Sequence, residues 1–181
     1  KINATSIPIK KMRHAINQFL PNDIIAKKSK LVSDSFHSTL NAKNKTYRYT
    51  ILNNEFPTVF GQDFYYHVRQ PLDIEKIIRA SKLFVGKHDF SAFCSEAHKK
   101  NNCIRTITNI KIKKSKNFIY MDFSADGFLY NMIRIIVGTL IEAGQNKITP
   151  THIKEIFKSK TRIHAGQTAP PQGLCLIKVI Y

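Results

Sequence analysis

The chemistry that the sequence suggests most sharply centres on Arg134, which lies inside the apolar segment 127–144 (GFLYNMIRIIVGTLIEAG). The apolar residues of this segment recur at helical spacing and cover nearly all sides, which is typical of a buried helix. Burial of a guanidinium in such a helix lowers the stability of the fold by several kcal/mol unless the group is paired and hydrogen-bonded. We therefore expect Arg134 to be an active-site residue that pairs with a carboxylate. The alternative is a side chain that extends along its apolar stem to the surface.

A second group of residues combines aromatic rings with cations. Tyr47 and Tyr49 share one face of a predicted strand, Arg48 lies on the other face, and Lys43 and Lys45 precede them. Rings and cations on one sheet suit base stacking and phosphate contact. The alternative is that the tyrosines are half-buried core residues and the lysines a solvated edge. The charge of the whole chain favours RNA binding.

The remaining polar motifs point less clearly to a reaction. Arg162 and His164 border a Gly/Pro-rich loop and are candidates for phosphate contact, with solvated charges as an equal alternative. His88 and Asp89 are adjacent and point apart on any regular element, so a loop-bonding role is expected for Asp89. The scattered histidines and cysteines lack metal-ligand spacing, so no metal is expected. Motifs of hydrolases, P-loop NTPases and nicotinamide enzymes are absent from the sequence.

The charge balance indicates a polyanionic partner. Lysine and arginine number 29 against 12 acidic residues, a net charge of +17 spread along the chain. Nucleic acid is therefore the first candidate. A membrane surface is not expected, because the sequence has no uncharged apolar run of about 18 residues and no basic amphipathic anchor. The three cysteines lack paired spacing, which favours a reducing cytoplasm.

Hydrophobic periodicity and turn residues predict an α+β fold with a mixed, largely antiparallel sheet packed by helices. The predicted helices cover residues 9–20, 73–86, 127–144 and 149–160. The predicted strands cover residues 24–32, 47–52, 64–68, 104–113, 118–125 and 174–181. A long polar loop is predicted at 87–102, and loops of this length in compact domains are usually functional or mobile. A second, Gly/Pro-rich loop is predicted at 162–173.

Four segments in this order and spacing resemble the bacterial tRNA pseudouridine synthase A family. They are FHSTLNAKNKTYRYTI (36–51), LFVGKHDFSAF (83–93), GFLYNMIRIIVGTLIEAG (127–144) and AGQTAPPQGLCLIKVIY (165–181). The similarity covers nearly the whole chain from about Ile7 onward. Any one segment alone is weak support, whereas four in register are strong.

The resemblance implies an enzyme that isomerises uridine to pseudouridine in the anticodon arm of tRNA. It also implies no cofactor and no metal, and a homodimer in which one tRNA touches both subunits. The family fold has two similar α+β halves of ferredoxin-like type, with a positively charged cleft between them. The alternative is a non-catalytic RNA-binding module of the same fold.

The resemblance also assigns roles to residues of this chain. In the family an aspartate attacks the nucleoside covalently, the base detaches, turns over and is rejoined through carbon. Arg134 matches the arginine that pairs with this aspartate, and Tyr47 matches the tyrosine that lies against the target uracil. Further substrate-binding candidates are His37, Arg48 and Leu174. Candidates for contact with RNA phosphates are Lys43, Lys45 and Arg162.

One departure from the family pattern concerns the nucleophile. The family carries its aspartate in a Gly-Arg-Thr-Asp segment of its first half, and this sequence contains no such segment. We transfer the role to none of the aspartates that are present. We therefore expect residues 1–181 to form a single α+β domain, the C-terminal portion of a two-half enzyme, and to be inactive by themselves.

Overall fold

The computed structural model describes residues 6–95 and 102–181. The chain divides into two compact units, Lys1–Asn41 and Ala42–Tyr181.

Residues 6–41, the described part of the first unit, contain one helix and an irregular segment. Helix α1, Ile9–Asn17, follows Pro8, whose fixed φ suits a helix start, as the sequence predicted. The predicted strand 24–32 is wrong, because the described part of this segment has no strand. The Asn17 side chain instead binds both backbone groups of Ala26, at 2.7 and 3.1 Å. The Asn17 side chain thus makes the backbone hydrogen bonds that a neighbouring strand would make. Leu31, near the end of the segment, is 75% exposed and does not join a core.

The second unit is built on a six-stranded sheet. Its strands are β1 (Asn44–Asn53), β2 (Tyr66–Val68), β3 (Gly86–Asp89), β4 (Ile104–Ser115), β5 (Phe118–Ala125) and β6 (Leu174–Ile180). The strand order is β2-β1-β5-β4-β3, and β6 pairs with β1 along the part of its edge that β2 leaves open. Among the strand pairs of the described residues, only β1–β2 is parallel. The predicted α+β class with a mixed, largely antiparallel sheet is confirmed.

The described part of this unit has three α-helices beside the sheet: α2 (Ile74–Ser81), α3 (Met132–Gly144) and α4 (Pro150–Ser159). The core contains the apolar residues of β5, which alternate buried and half-buried positions as the sequence predicted. Most of α3 is buried in the same core. In the part of the chain that is described, no helix has the length and apolar character needed to cross a membrane.

Several element boundaries differ from the sequence prediction, and two of the differences have a clear structural reason. Helix α3 begins at Met132 and not near Gly127, because Asn131 has a left-handed backbone (φ 61°) that a right-handed helix cannot include. Gly86 opens strand β3 instead of closing a helix, and the first residues of the predicted loop 87–102 pair with β4. The sequence of β3 lacks the alternation of apolar and polar residues that predicts a strand. The strand is recognised only from its pairing with β4. Residues 96–101 of that loop lie outside the described residues.

A partly exposed ion pair connects the end of β3 to the residue that follows α4. The Lys160 Nζ lies 2.9 Å from Asp89 Oδ2, and Asp89 also accepts hydrogen bonds from the backbone and hydroxyl of Ser91. Burial acts to raise the pKa of Asp89, but the bonds from Lys160 and Ser91 outweigh it and lower the pKa below its ordinary value. Asp89 therefore has the loop-bonding role expected from the sequence.

Replacing Asp89 by asparagine should lower the unfolding temperature at pH 7 but not in strong acid. The folded pKa of Asp89 lies below its unfolded value of about 3.9, so its stabilisation is present above that pH and is lost as pH falls through the folded pKa. Thermal unfolding of Asp89→Asn and wild type should therefore converge near about pH 2. The exposed Asp23→Asn is the control. An equal difference at both pH values would contradict the prediction.

Candidate active site

Tyr47 extends from β1 toward the segment that leads into α3. Its ring meets Phe128 edge to face, with centroids 5.5 Å apart. Tyr47 and Tyr49 lie on the same face of the strand, as alternation predicted, and Tyr47 remains half-buried whereas Tyr49 is fully buried. The first ring therefore has a surface that a planar ligand can contact.

Arg134 lies in the first turn of α3 and is half-buried. Its Nε donates to the carbonyl of Ala169 at 2.6 Å, and its Nη1 donates to Oδ1 of Asn131 at 2.8 Å. The N–H of Ala169 in turn donates to the Arg134 carbonyl at 3.1 Å. Two of the three guanidinium nitrogens are thus fixed by neutral oxygen atoms.

The carboxylate that we expected beside Arg134 is not among the described residues. Within residues 6–95 and 102–181, no carboxylate oxygen lies within 4.0 Å of its guanidinium, and Nη2 has no hydrogen-bond partner. Because both bound acceptors are neutral, the charge of Arg134 is not compensated by these contacts. The arrangement can bind an anion through Nη2.

Residues 165–170, called the 165–170 loop below, hold the Ala169 carbonyl in place. The buried N–H of Gly166 donates to Oγ1 of Thr139 on α3 at 3.0 Å. Arg162 donates to the Ala165 carbonyl at 3.0 Å and to the Thr168 hydroxyl at 2.9 Å. The loop is therefore bound to the same helix that carries Arg134.

Tyr49 fixes the end of this loop from the sheet. Its hydroxyl donates to the Pro170 carbonyl at 2.6 Å, and the side chain is fully buried. Burial raises the pKa of Tyr49 far above neutral, while the nearby charge of Arg134 acts in the opposite direction. The hydroxyl therefore stays protonated and acts as a hydrogen-bond donor.

The helix and the loop approach each other closely at two glycines. A β-carbon on Gly138 would lie 1.8 Å from the carbonyl oxygen of Gln167, and one on Gly166 would lie 2.5 Å from the backbone nitrogen of Thr139. No side chain can occupy either position unless the backbone moves. Glycine at both positions is what allows the loop to reach Arg134.

Two predicted substrate-binding residues lie elsewhere on the sheet. Arg48 is on the face opposite to Tyr47, where its Nε and Nη2 bind the two carboxylate oxygens of Asp122 at 2.7 and 2.8 Å. This bond is the main reason that the pKa of Arg48 is raised. Leu174 begins β6 opposite Tyr49 and packs against the core. The structure does not bring Arg48 together with Arg134.

The predicted phosphate contacts and His37 have different surroundings. Lys43 is exposed and Lys45 is half-buried, both at the start of β1. Arg162 is half-buried, and burial lowers its pKa while Glu142 acts against that change. His37 belongs to the first unit, where its Nδ1 accepts from two backbone N–H groups.

A cleft of about 450 Å³ lies beside the 165–170 loop. It is bounded by β2, the C-terminal half of α3 and the loop itself, and it includes Arg69, Gln145 and Gln167. Within the described residues, no group of three histidine, cysteine, aspartate or glutamate side chains could hold a metal ion.

Comparison with known proteins identifies the family. The family model described as tRNA pseudouridine synthase matches residues 80–181. A tRNA pseudouridine synthase A of Thermoanaerobacter sp. (strain X514) is 46% identical over 177 residues, which are 98% of this chain and 72% of that protein. The chain belongs to the tRNA pseudouridine synthase A family.

Other relatives show the same coverage. The tRNA pseudouridine synthase A of Acetivibrio thermocellus is 43% identical over 99% of this chain and 74% of its own length. That of Moorella thermoacetica is 42% identical over 97% of this chain and 71% of its own length. The family resemblance found in four segments is therefore confirmed for almost the entire sequence.

Several residues of the site were missed by sequence reasoning. Asn131, Thr139 and Ala169 all help to hold Arg134 or its loop. The spacing of Asn131 and Arg134, three residues apart, was a usable signal because residues three apart meet at a helix start. The role of Ala169 left no signal, since every residue has a backbone carbonyl.

Substituting alanine for Gly138 should destabilise the second unit by about 1–3 kcal/mol, since the new methyl group must displace the Gln167 backbone. Gly127→Ala is the matched control, because its β-carbon would meet only Arg105 at ordinary contact distance, 3.6 Å. Urea unfolding of both variants measures the difference. Equal stability of the two would show that the close approach of helix and loop is not tight in solution.

Proposed function

We propose that the protein containing this chain is a tRNA pseudouridine synthase that acts in the cytoplasm on uridines of the anticodon arm. The observation that supports this most strongly is 46% identity over 98% of the chain to a tRNA pseudouridine synthase A. The net charge of +17 fits a polyanionic substrate. We also propose a homodimer, on the family resemblance alone.

The reaction imposes requirements on the site. The bond from the ribose C1′ to N1 of uracil breaks, a bond from C1′ to C5 forms, C5 loses a proton and N1 gains one. Atoms and charge balance without an oxidant, a reductant or a cofactor. The enzyme must therefore hold a nucleophile for C1′ and keep the detached base in place while it turns over.

Arg134 is the residue that we propose to hold the nucleophilic carboxylate. Its Nε and Nη1 are bound by neutral oxygens, so the positive charge and the Nη2 hydrogens remain for an anion. A charge-assisted hydrogen bond from a fixed guanidinium keeps a carboxylate ionised and oriented for attack. We propose that the aspartate comes from a segment outside these 181 residues.

Tyr47 is the residue that we propose to contact the uracil. Its ring is half-buried and braced by Phe128, so its orientation is defined while one surface remains available. A ring of this kind stacks on a flipped base without reading its sequence. The proposed contacts to RNA phosphates are Lys43, Lys45 and Arg162. Further proposed substrate contacts are His37, Leu174 and Arg48.

The reaction can be followed by the release of tritium from tRNA labelled at C5 of uridine, since C5 loses its hydrogen. The full-length protein should release it, and pseudouridine should appear in the anticodon arm. Residues 1–181 alone should release none, because they lack the Gly-Arg-Thr-Asp segment. Turnover by this chain alone would contradict the proposed origin of the nucleophile. An inactive full-length protein that still binds tRNA would favour the RNA-binding module.

Arg134→Ala in the full-length protein should lower kcat by at least about 100-fold while tRNA affinity changes little, because the lost interaction acts on the nucleophile. Arg79→Ala is the matched control, since it removes an exposed arginine of α2 that has no proposed role in the reaction. Kinetics with labelled tRNA and a filter-binding assay separate the two effects. A large loss of affinity at normal kcat would assign Arg134 to RNA binding instead.

A further inference from the structure

Asn131 occupies an unusual backbone position directly before α3. Its φ of 61° and ψ of 4° are left-handed, a conformation that asparagine tolerates better than most residues. Its side chain does not cap the helix. Instead, Oδ1 accepts from Arg134 Nη1 at 2.8 Å, and Nδ2 donates to the hydroxyl of Ser95 at 3.0 Å.

The chemistry of the partners fixes the orientation of this amide. Arginine has donors only, so the Asn131 atom that faces Arg134 must be the oxygen. The amide nitrogen then faces Ser95, whose hydroxyl can accept. The left-handed backbone therefore directs one short side chain into a defined pair of contacts.

Two contacts are needed to define the plane of the guanidinium. The bond from Arg134 Nε to the Ala169 carbonyl fixes one direction, but the planar group can still rotate about that bond. The second bond, from Nη1 to Asn131, prevents this rotation. Together they determine where Nη2 points, and Nη2 has no partner among the described residues.

We propose that Asn131 is a positioning residue for the reaction, because it sets the plane of the Arg134 guanidinium and so the direction in which Nη2 meets the carboxylate. This inference rests on the proposed function of Arg134. Asn131 touches neither the nucleophile nor the base in this scheme. Its removal should therefore affect the chemical step and leave tRNA binding intact.

The test compares Asn131→Ala with Asn146→Ala in the full-length protein. Asn146 is a second asparagine with a left-handed backbone (φ 63°), at the other end of α3, where it accepts a hydrogen bond from Lys76. Both variants place alanine at a positive φ, so both should lower the unfolding temperature. Only Asn131→Ala should lower kcat, by about 10- to 100-fold, with KM within about twofold of wild type.

Two further variants keep the test decisive. Asn131→Gly removes the same side chain without backbone strain and should show the same loss of kcat even if Asn131→Ala fails to fold. Ser95→Ala leaves the oxygen of Asn131 facing Arg134 and should lower kcat less than Asn131→Gly does. A kcat for Asn131→Gly equal to that of Asn146→Ala, or a change in KM alone, would overturn the proposal.

A hydrogen-exchange measurement, which does not depend on turnover, distinguishes failure of this proposal from failure of the proposed function. The Arg134 Nε–H, bound to the Ala169 carbonyl, should exchange slowly with solvent in nitrogen-15 spectra, and Asn131→Gly should accelerate that exchange whereas Asn146→Ala should not. If the wild-type protein modifies no uridine but this pattern holds, the proposed function fails and the positioning of Arg134 stands. Unchanged exchange in Asn131→Gly would overturn the positioning itself.

Discussion

The pair of hydrogen bonds between Arg134 and Ala169 is the interaction on which the rest of the site depends. The backbone of Ala169 donates to the Arg134 carbonyl, and the Arg134 side chain donates to the Ala169 carbonyl. The second bond has a charged donor in a half-buried position, where such bonds are stronger than neutral ones. The orientation of the guanidinium is therefore only as well defined as the position of the 165–170 loop.

The position of the 165–170 loop requires a close contact between its backbone and the backbone of α3. Gly138 lies in the middle of α3, where glycine costs about 1 kcal/mol relative to alanine. The cost is offset because the Gln167 carbonyl occupies the space that a β-carbon would need. Thr139, the next residue, uses its hydroxyl to bind the loop at Gly166 and donates to the Ile135 carbonyl. Gly138 and Thr139 thus place a residue without a side chain and a hydroxyl next to each other on α3, where the loop backbone contacts the helix.

The sequence predicted those features that depend on local pattern. Strands β1, β4 and β5 were found by alternation, and α4 by the capping residue Thr149 followed by proline. The strand assigned to 24–32 was wrong and β3 was missed for the same physical reason: whether an extended segment pairs depends on its neighbour. The sequence showed that Arg134 is a charged residue inside an apolar helix. It did not predict the Ala169 carbonyl as an acceptor, because every residue has a backbone carbonyl.

Arg48 and Arg134, both in the second unit, have guanidinium groups with acceptors of different charge. Arg48 directs two of its nitrogens at the carboxylate of Asp122, so its charge is compensated where it stands. Arg134 is held equally firmly, but by a carbonyl and an amide oxygen, which orient it without neutralising it. Neutral acceptors on two nitrogens leave the delocalised positive charge uncompensated and the hydrogens of Nη2 available. A guanidinium fixed in this way presents these hydrogens in a defined direction, which suits the positioning of a carboxylate.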